Sequence, residues 1–231
     1  MASENEPLFS AETIDFLIEN CYQNSREWFW EHHGDYESHV LHPMRALADR
    51  LSGAAEAIDP DIMTDPRSVV SHINRDLRYS ANQSLYRDYM WLGFKRDKKS
   101  HPHYPEIFFG IMPDGICVGC GCWQMEPDAM AALRRSVLDD TPEFRAVSRW
   151  YASQTRFAAD GRRYKRTKFP DEPESRRFWL DRRELSFIRR CTDFEEVYSA
   201  QLPDIIERDM MLLQEAYRWF LWAVEKARNA E

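Results

Sequence analysis

The chain has 231 residues, of which 43% are hydrophobic and 30% are charged, and this length supports one substantial hydrophobic core. These proportions, together with 13% aromatic residues, exclude a disordered chain and a small disulfide-stapled protein. The net charge of −8 argues against a surface that follows a nucleic-acid backbone, because such surfaces neutralise many phosphates with basic side chains.

Several features bear on where the protein resides. No stretch approaches the ~18 consecutive apolar residues that a membrane span requires. Residues 1–6 lack the basic and then apolar pattern of a secretory signal. The five cysteines are an odd number, which fits a reducing compartment better than a disulfide framework. We therefore expect a soluble, cytoplasmic protein with no membrane contact.

The first predicted elements are helices. Ser10 caps a helix that starts at Ala11, and apolar residues recur at helical spacing until Asn24 ends it. A second helical segment follows, in which Pro43 either kinks the helix or starts the next one. This helical run ends near residues 57–60.

The middle of the chain has the patterns of strands. Residues 68–76 are rich in β-branched side chains, and residues 86–94 alternate aromatic and polar groups, so we predict a strand in each. Residues 107–112 and 116–123 flank the turn sequence Pro-Asp-Gly at 113–115, which predicts a hairpin.

Helical signals return after this hairpin. Pro127 and Pro142 each occupy the first position of a predicted helix, where the missing N–H of proline costs nothing. The Asp160-Gly161 pair predicts a tight turn, so residues 155–168 are expected to form another hairpin.

The last third of the chain combines one strand with helices. Pro173 starts a short helix, and residues 185–188 resemble a strand. Thr192 and Glu195 form a capping-box pattern, and Pro203 begins one final amphipathic helix.

Helices at both ends and strands in the middle predict an α+β fold, in which a mostly antiparallel sheet is packed by the N- and C-terminal helices. The sequence contains no linker, repeat or low-complexity tract. Residues 1–231 are therefore predicted to form a single domain.

Two basic segments lie inside this acidic chain. Residues 71–100 carry seven basic and three acidic side chains, and residues 161–192 carry eleven and five. Such segments are typical either of a focused anion pocket or of surface cations that pair with neighbouring acids.

The first basic segment contains the candidate site. If it is extended, His72, Asn74, Asp76 and Arg78 share one face. Arginine presents a fixed fork of donors that binds phosphate and carboxylate groups, and Asp76 would orient an arginine or act as a general base. The expected ligand-binding residues here are Arg75, Arg78, Tyr79, Ser80, Tyr86 and Arg87. The open alternative is that Asp76 and Arg78 are a structural pair at a sheet edge.

The second basic segment adds Lys165 and Lys168 to the expected ligand-binding residues, if it folds back beside the first. A cleft with one sign of charge raises the local concentration of anions. A solvated helix face is the open alternative for the arginines at 176, 177, 182 and 183.

The sequence favours no metal and no cofactor. Cys117, Cys120 and Cys122 would not converge on a strand, because residues an odd number of positions apart point to opposite faces. The common nucleotide-binding and hydrolase signatures are missing from the sequence.

The first basic segment also resembles the signature of a known family, Arg-Asp-x-Arg-Phe-Ser-x-Asp-Lys-x-Pro-Tyr-Lys. The aligned residues are Arg75, Asp76, Arg78, Tyr79, Ser80, Asn82, Gln83, Leu85, Tyr86 and Arg87. On these residues the chain is similar to the uncharacterised bacterial proteins called domain of unknown function 2461. The similarity covers about residues 8–225 and includes residues 24–29, which resemble the family's Asn-x-Arg-x-Trp-Phe. The resemblance implies a fold and a pocket, but no reaction.

The chain departs from that signature in the middle of the motif. Asn82, Gln83 and Leu85 replace the family's Asp, Lys and Pro, and Arg87 replaces its last Lys. Positive charge is therefore kept at the end of the motif and lost in its middle, which predicts a different ligand or a lost activity in this member.

We therefore expect the protein to bind a small anionic molecule, with catalysis left open. The alternative is a protein-interaction or self-associating module, such as a homo-oligomer, in which the Arg/Asp motif is purely structural. Its binding surface would be a patch on the aromatic-rich terminal helices, where Trp219, Phe220 and Trp222 cover nearly the whole circumference of the last helix.

Overall fold

The computed structural model describes residues 6–76, 78, 82–122 and 124–229, and its contacts divide the chain into two compact units. Unit 1 consists of Met1–Phe94, Phe108–Val118 and Arg190–Asp209. Unit 2 consists of Lys95–Ile107, Gly119–Arg189 and Met210–Glu231. The prediction of a single domain stays a prediction.

The described part of the chain is α+β, with about 50% helix and 16% strand, so the predicted fold class is confirmed. Its strands form one antiparallel sheet in the order β1-β2-β3-β5-β4. The strands are β1 (Met90–Phe94), β2 (Glu106–Met112), β3 (Gly115–Gly121), β4 (Ala158–Asp160) and β5 (Ser186–Cys191). Among the described residues, no helix is both long and apolar enough to span a membrane.

The helices carry most of the chain. They are α1 (Ala11–Gln23), α2 (Arg26–Glu31), α3 (His33–Tyr36), α4 (His42–Ile58), α5 (Pro66–Val69), α6 (Pro127–Leu138), α7 (Pro142–Ser153), α8 (Glu174–Leu180), α9 (Phe194–Val197), α10 (Leu202–Leu212) and α11 (Gln214–Arg228). A π-helical turn, Glu37–Leu41, lies between α3 and α4.

Unit 1 has its core between the N-terminal helices, as the apolar spacing predicts. Leu17, Val40 and Leu47 are fully buried there. Asn24 ends α1 in the left-handed conformation with φ of 47°, a role that asparagine fills because its short polar side chain tolerates positive φ. Pro43 lies in the first turn of α4, directly after the π-helical turn, and the backbone stays right-handed helical at Leu41 and His42. The helical run is therefore unbroken there, and a widened turn precedes the proline.

The predicted strand at residues 68–76 is wrong. Pro66 opens the short helix α5, which Asp65 caps by accepting a 3.0 Å hydrogen bond from the N–H of Arg67. After α5 the segment makes only isolated bridges, Val70 to Leu92 and Asn74 to Tyr86. The β-branched residues of this segment are buried, but they do not form a continuous β-ladder. The predicted strand at residues 86–94 is regular only from Met90.

The predicted hairpin is confirmed as β2 and β3. Gly115 has φ of 131° after the turn, and a Cβ atom placed there would lie 2.1 Å from the carbonyl oxygen of Cys191. Both the backbone conformation and the close approach therefore require glycine.

Unit 2 is built on α6, α7 and α11. Pro127 and Pro142 open α6 and α7 as predicted. The indole Nε1 of Trp219 on α11 donates a 3.0 Å hydrogen bond to Oγ of the buried Ser136 on α6. Trp219 is only 2% exposed, so it offers no surface to a partner.

Three further sequence predictions are corrected. β4 pairs with β5 in the register Ala158 to Ile188, instead of forming a hairpin with residues 162–168. Asp193 rather than Thr192 caps α9, accepting a 3.0 Å hydrogen bond from the N–H of Glu195. The single final helix is two helices, α10 and α11, which meet at Leu213.

Candidate functional site

In unit 1, the first basic segment forms a narrow two-armed loop. The N–H of Arg75 donates to the carbonyl of Leu85 at 2.8 Å, and the N–H of Arg87 donates to that of Ile73 at 3.0 Å. These two bonds flank the bridge between Asn74 and Tyr86. They bring the Arg75-Asp76 arm beside the Arg87 arm, as the candidate site requires.

Asp76 and Arg78 form a bidentate ion pair on the surface. Nε and Nη2 of Arg78 donate to Oδ1 and Oδ2 of Asp76 at 3.0 and 2.8 Å. The N–H of Arg78 adds a 3.1 Å bond to Oδ1. These hydrogen bonds, with a smaller contribution from the charge of Arg87, lower the pKa of Asp76 to about 2.

The other two arginines of this loop donate to uncharged oxygens. Nε of Arg75 donates to Oγ of Ser84 at 3.0 Å, and its Nη2 donates to the carbonyl of Tyr86 at 3.3 Å. Nη1 of Arg87 donates to the carbonyl of His72 at 3.5 Å, and its guanidinium lies 5.6 Å from the ring centroid of Tyr89. With the described residues, neither Arg75 nor Arg87 makes an ion pair.

Tyr86 is a core residue rather than part of an open pocket. It is 4% exposed, its ring stacks on Phe29 at 5.0 Å, and burial raises the pKa of its phenol. Tyr79 and Ser80, the other two expected ligand residues of this loop, lie outside the described residues.

Asn24 positions the candidate loop, a role that its residue type alone did not predict. Its Oδ1 accepts a 2.6 Å hydrogen bond from the N–H of Leu85, which ties the end of α1 to the candidate loop. The signal that could have identified this role is the position of Asn24 as the first residue of the segment that resembles the family's Asn-x-Arg-x-Trp-Phe. Asn82, a departure from the family signature, accepts from the N–H of Ser84 at 2.9 Å, a contact that an aspartate oxygen would also provide.

In unit 2, two cations of the second basic segment and one cation of α6 lie close to the ring of Tyr164. Nζ of Lys168 lies 4.3 Å from the ring centroid, and the guanidinium carbons of Arg134 and Arg183 lie 5.5 and 6.0 Å from it. Lys168 and Arg183 are exposed, and Arg134 is half-buried. We call Tyr164 and these three cations, Arg134, Lys168 and Arg183, the Tyr164 cluster. Lys165, the other expected lysine, is exposed nearby in sequence.

A buried carboxylate holds the loop that carries this cluster. Oδ1 of Asp181 accepts from Oγ1 of Thr167 at 2.9 Å and from the N–H of Lys168 at 3.2 Å, while the carbonyl of Asp181 accepts from the N–H of Tyr164 at 2.9 Å. Sequence reasoning missed both Asp181 and Arg134, because their contacts with the loop span 13 to 30 positions of the chain.

The solvated helix face expected for four arginines is wrong for Arg182. It is 6% exposed, and it donates to the carbonyls of Phe178 and Gly161, each at 3.3 Å. Burial lowers the pKa of its guanidinium. Arg182 is therefore a structural residue that joins α8 to the turn after β4.

Of the three cysteines at 117–122, Cys117 and Cys120 are buried and Cys122 is half-buried. Burial raises the pKa of Cys117 to about 11 and raises those of Cys120 and Cys122 as well, which disfavours the thiolate that metal binding and redox chemistry need. Within the described ranges, no group of three or more His, Cys, Asp or Glu side chains is placed to hold a metal.

A shallow, open cavity of about 300 Å³ lies along α7. Its lining residues are Asp140, Phe144, Arg145, Ser148 and Arg149.

These observations define an α+β protein that presents an arginine-rich loop in one unit and a cation-ringed tyrosine in the other. A family model described as "Conserved hypothetical protein (DUF2461)" matches residues 12–219. The chain belongs to this family, which confirms the resemblance. Neither the search of curated proteins nor that of solved structures found a match.

Proposed function

We propose that the protein binds a small anionic molecule, through a phosphate or carboxylate group, at the loop formed by residues 72–78 and 84–87. The supporting observation is the set of partners of Arg75 and Arg87, which donate only to uncharged oxygens within the described residues. Because a guanidinium keeps its charge in proteins, two such cations on adjacent arms of one loop favour an anion between them.

In this proposal Asp76 is a positioning residue. A carboxyl group whose pKa is lowered to about 2 is ionised at neutral pH and is a weak base, since an effective general base has a pKa near the working pH. Its bidentate contact instead fixes the plane of Arg78. We therefore assign ligand binding, and no catalytic step, to this loop.

Lys165 and Lys168 lie in the other compact unit. Their membership in the same pocket as Arg75, Arg78 and Arg87 stays a prediction, as does the involvement of Tyr79 and Ser80.

The proposal is tested by thermal unfolding in phosphate, citrate and acetate at low ionic strength. A ligand that binds only the folded state stabilises it by mass action, so an anion at about ten times its Kd raises the Tm by about 3–5 °C for a chain of this size. We expect this rise in the parent protein and a smaller rise in Arg78→Ala and Arg87→Ala.

Arg67→Ala is the matched control for this experiment. Arg67 is an exposed arginine of α5 in the same unit, and its side chain makes no hydrogen bond or ion pair with a described residue. The control should keep the full rise. An equal rise in all four proteins would contradict the proposed site.

A second candidate function, a protein-interaction surface, has one observation in its favour. Tyr22 and Trp30, on α1 and α2, are 81% and 68% exposed, whereas Trp219 and Phe220 of the C-terminal helix are buried. Light scattering over a concentration series tests self-association. A mass that rises with concentration in the parent, but not in Trp30→Ser, would support this candidate, and a constant monomer mass would count against it.

A further inference from the structure

From the Tyr164 cluster we infer a second anion site, in unit 2, that takes a phosphate group. Its residues belong to a different unit from the loop at residues 72–87, and none of them is part of that loop. The proposed ligand class is a phosphomonoester or inorganic phosphate.

Arg134 provides a pre-positioned donor. Its Nε donates to the carbonyl of Leu180 at 3.2 Å, and its Nη2 donates to the carbonyl of Arg182 at 2.7 Å and to Oη of Tyr164 at 3.3 Å. No described residue accepts from the remaining nitrogen, Nη1. The guanidinium is therefore held in place with one N–H₂ group left for a ligand, which reduces the entropy lost on binding.

The charges around Tyr164 are not balanced by neighbouring acids. Arg134, Lys168 and Arg183 make no ion pair with any residue in the described part of the chain. The nearby carboxylates are engaged elsewhere. Glu184 pairs with Arg162 and has a weaker interaction with Arg183, and Asp181 accepts from the loop at 167–168.

Three cations held close to one ring repel each other, and an anion among them replaces repulsion with attraction. The loop cannot relax to separate them freely, since Asp181 fixes the backbone at Tyr164 and Lys168. The cluster is thus organised before the ligand arrives.

The number of charges favours phosphate over a single carboxylate. A phosphate ester carries about −1.5 to −2 charges at neutral pH and three strong acceptor oxygens, which match three cations better than one carboxylate does. The phenol of Tyr164 accepts from Arg134, so its own O–H remains available to donate to a phosphate oxygen.

The test is a calorimetric titration with inorganic phosphate and with phenyl phosphate at low ionic strength. We expect saturable binding in the parent and about tenfold weaker binding in Lys168→Ala and in Arg183→Ala, each of which removes one charge-assisted contact. Tyr164→Phe keeps the ring and should lose less, since only one neutral hydrogen bond is removed.

Arg135→Ala is the matched control, because Arg135 is exposed on α6 beside Arg134 and its side chain has no described partner. It should bind as the parent does. Arg87→Ala should also keep this binding, which separates the site from that of the proposed function.

Lys168 and Arg183 are exposed, so their variants should fold, and a thermal melt without ligand verifies that they do. Unchanged phosphate affinity in the double variant of Lys168 and Arg183 would overturn the inference. So would binding of a single-stranded oligonucleotide in the absence of any phosphate binding, since the site would then be a polyanion surface.

Discussion

At the scale of single residues, the chemistry of the candidate loop depends on how each charge is partnered. Asp76 accepts three hydrogen bonds from Arg78, whereas Arg75 and Arg87 form no ion pair with a described residue. The residue types were predictable from sequence as a group. Their division into one ion pair and two cations without an ion pair was not predictable, because it depends on side-chain geometry.

The carboxyl pKa of Asp76 is expected to depend on Arg78. We expect an NMR titration to place its carboxyl pKa near 2 in the parent and near the unperturbed value of 3.8 in Arg78→Ala, because the variant removes the hydrogen bonds that stabilise the carboxylate. A midpoint near 4 in the parent would contradict the pair.

The same shift sets a pH dependence of stability. The pKa of Asp76 is lower in the folded chain than in the unfolded one, so the ion pair contributes its full stabilisation above about pH 4 and loses it as the pH falls through 2. The difference in urea midpoint between the parent and Asp76→Asn should therefore be present at pH 7 and shrink below pH 4. A difference independent of pH would show that the pair is not its cause.

Among the helices and strands, local sequence signals predicted where helices start and where the chain turns. They did not predict which strands pair when the partners lie far apart in the chain. The prolines at 127 and 142 and the turn at 113–115 act through their own backbone preferences, so the sequence reports them directly. β4 pairs with a strand almost thirty residues further along, and nothing local distinguishes that partner from the adjacent residues 162–168.

The turn between β2 and β3 is expected to tolerate no side chain at Gly115. Gly115→Ala should destabilise the fold by at least about 1–3 kcal/mol, because alanine is strained at positive φ and its Cβ would clash with the carbonyl of Cys191. Chemical denaturation measures the change.

Gly53→Ala is the matched control for this substitution. Gly53 is an exposed position within α4 with no atom within 4 Å of an added Cβ, so alanine should stabilise the helix by about 0.5–1 kcal/mol. Equal effects at the two positions would contradict the assignment of the turn.

At the scale of the whole molecule, an acidic chain with a net charge of −8 keeps two places where cations gather. Counting charges along the sequence located both basic segments. It did not identify Arg134, because this residue lies on α6, thirty positions from Tyr164 in the chain. The sequence also predicted that Tyr86 binds the ligand, whereas in the structure its ring stacks on Phe29 and is buried. Aromatic residues beside arginines are as common in cores as in sites, and only packing separates the two cases.

If these cations bind a small anion, a calorimetric titration of the parent protein with phosphate and with citrate detects the binding. We expect saturable binding of at least one of the two anions, and we expect it to weaken as sodium chloride is raised because the contacts are ionic. No saturable heat with either anion at low ionic strength, from a protein shown to be folded, would contradict it and leave the arginines with a structural role alone.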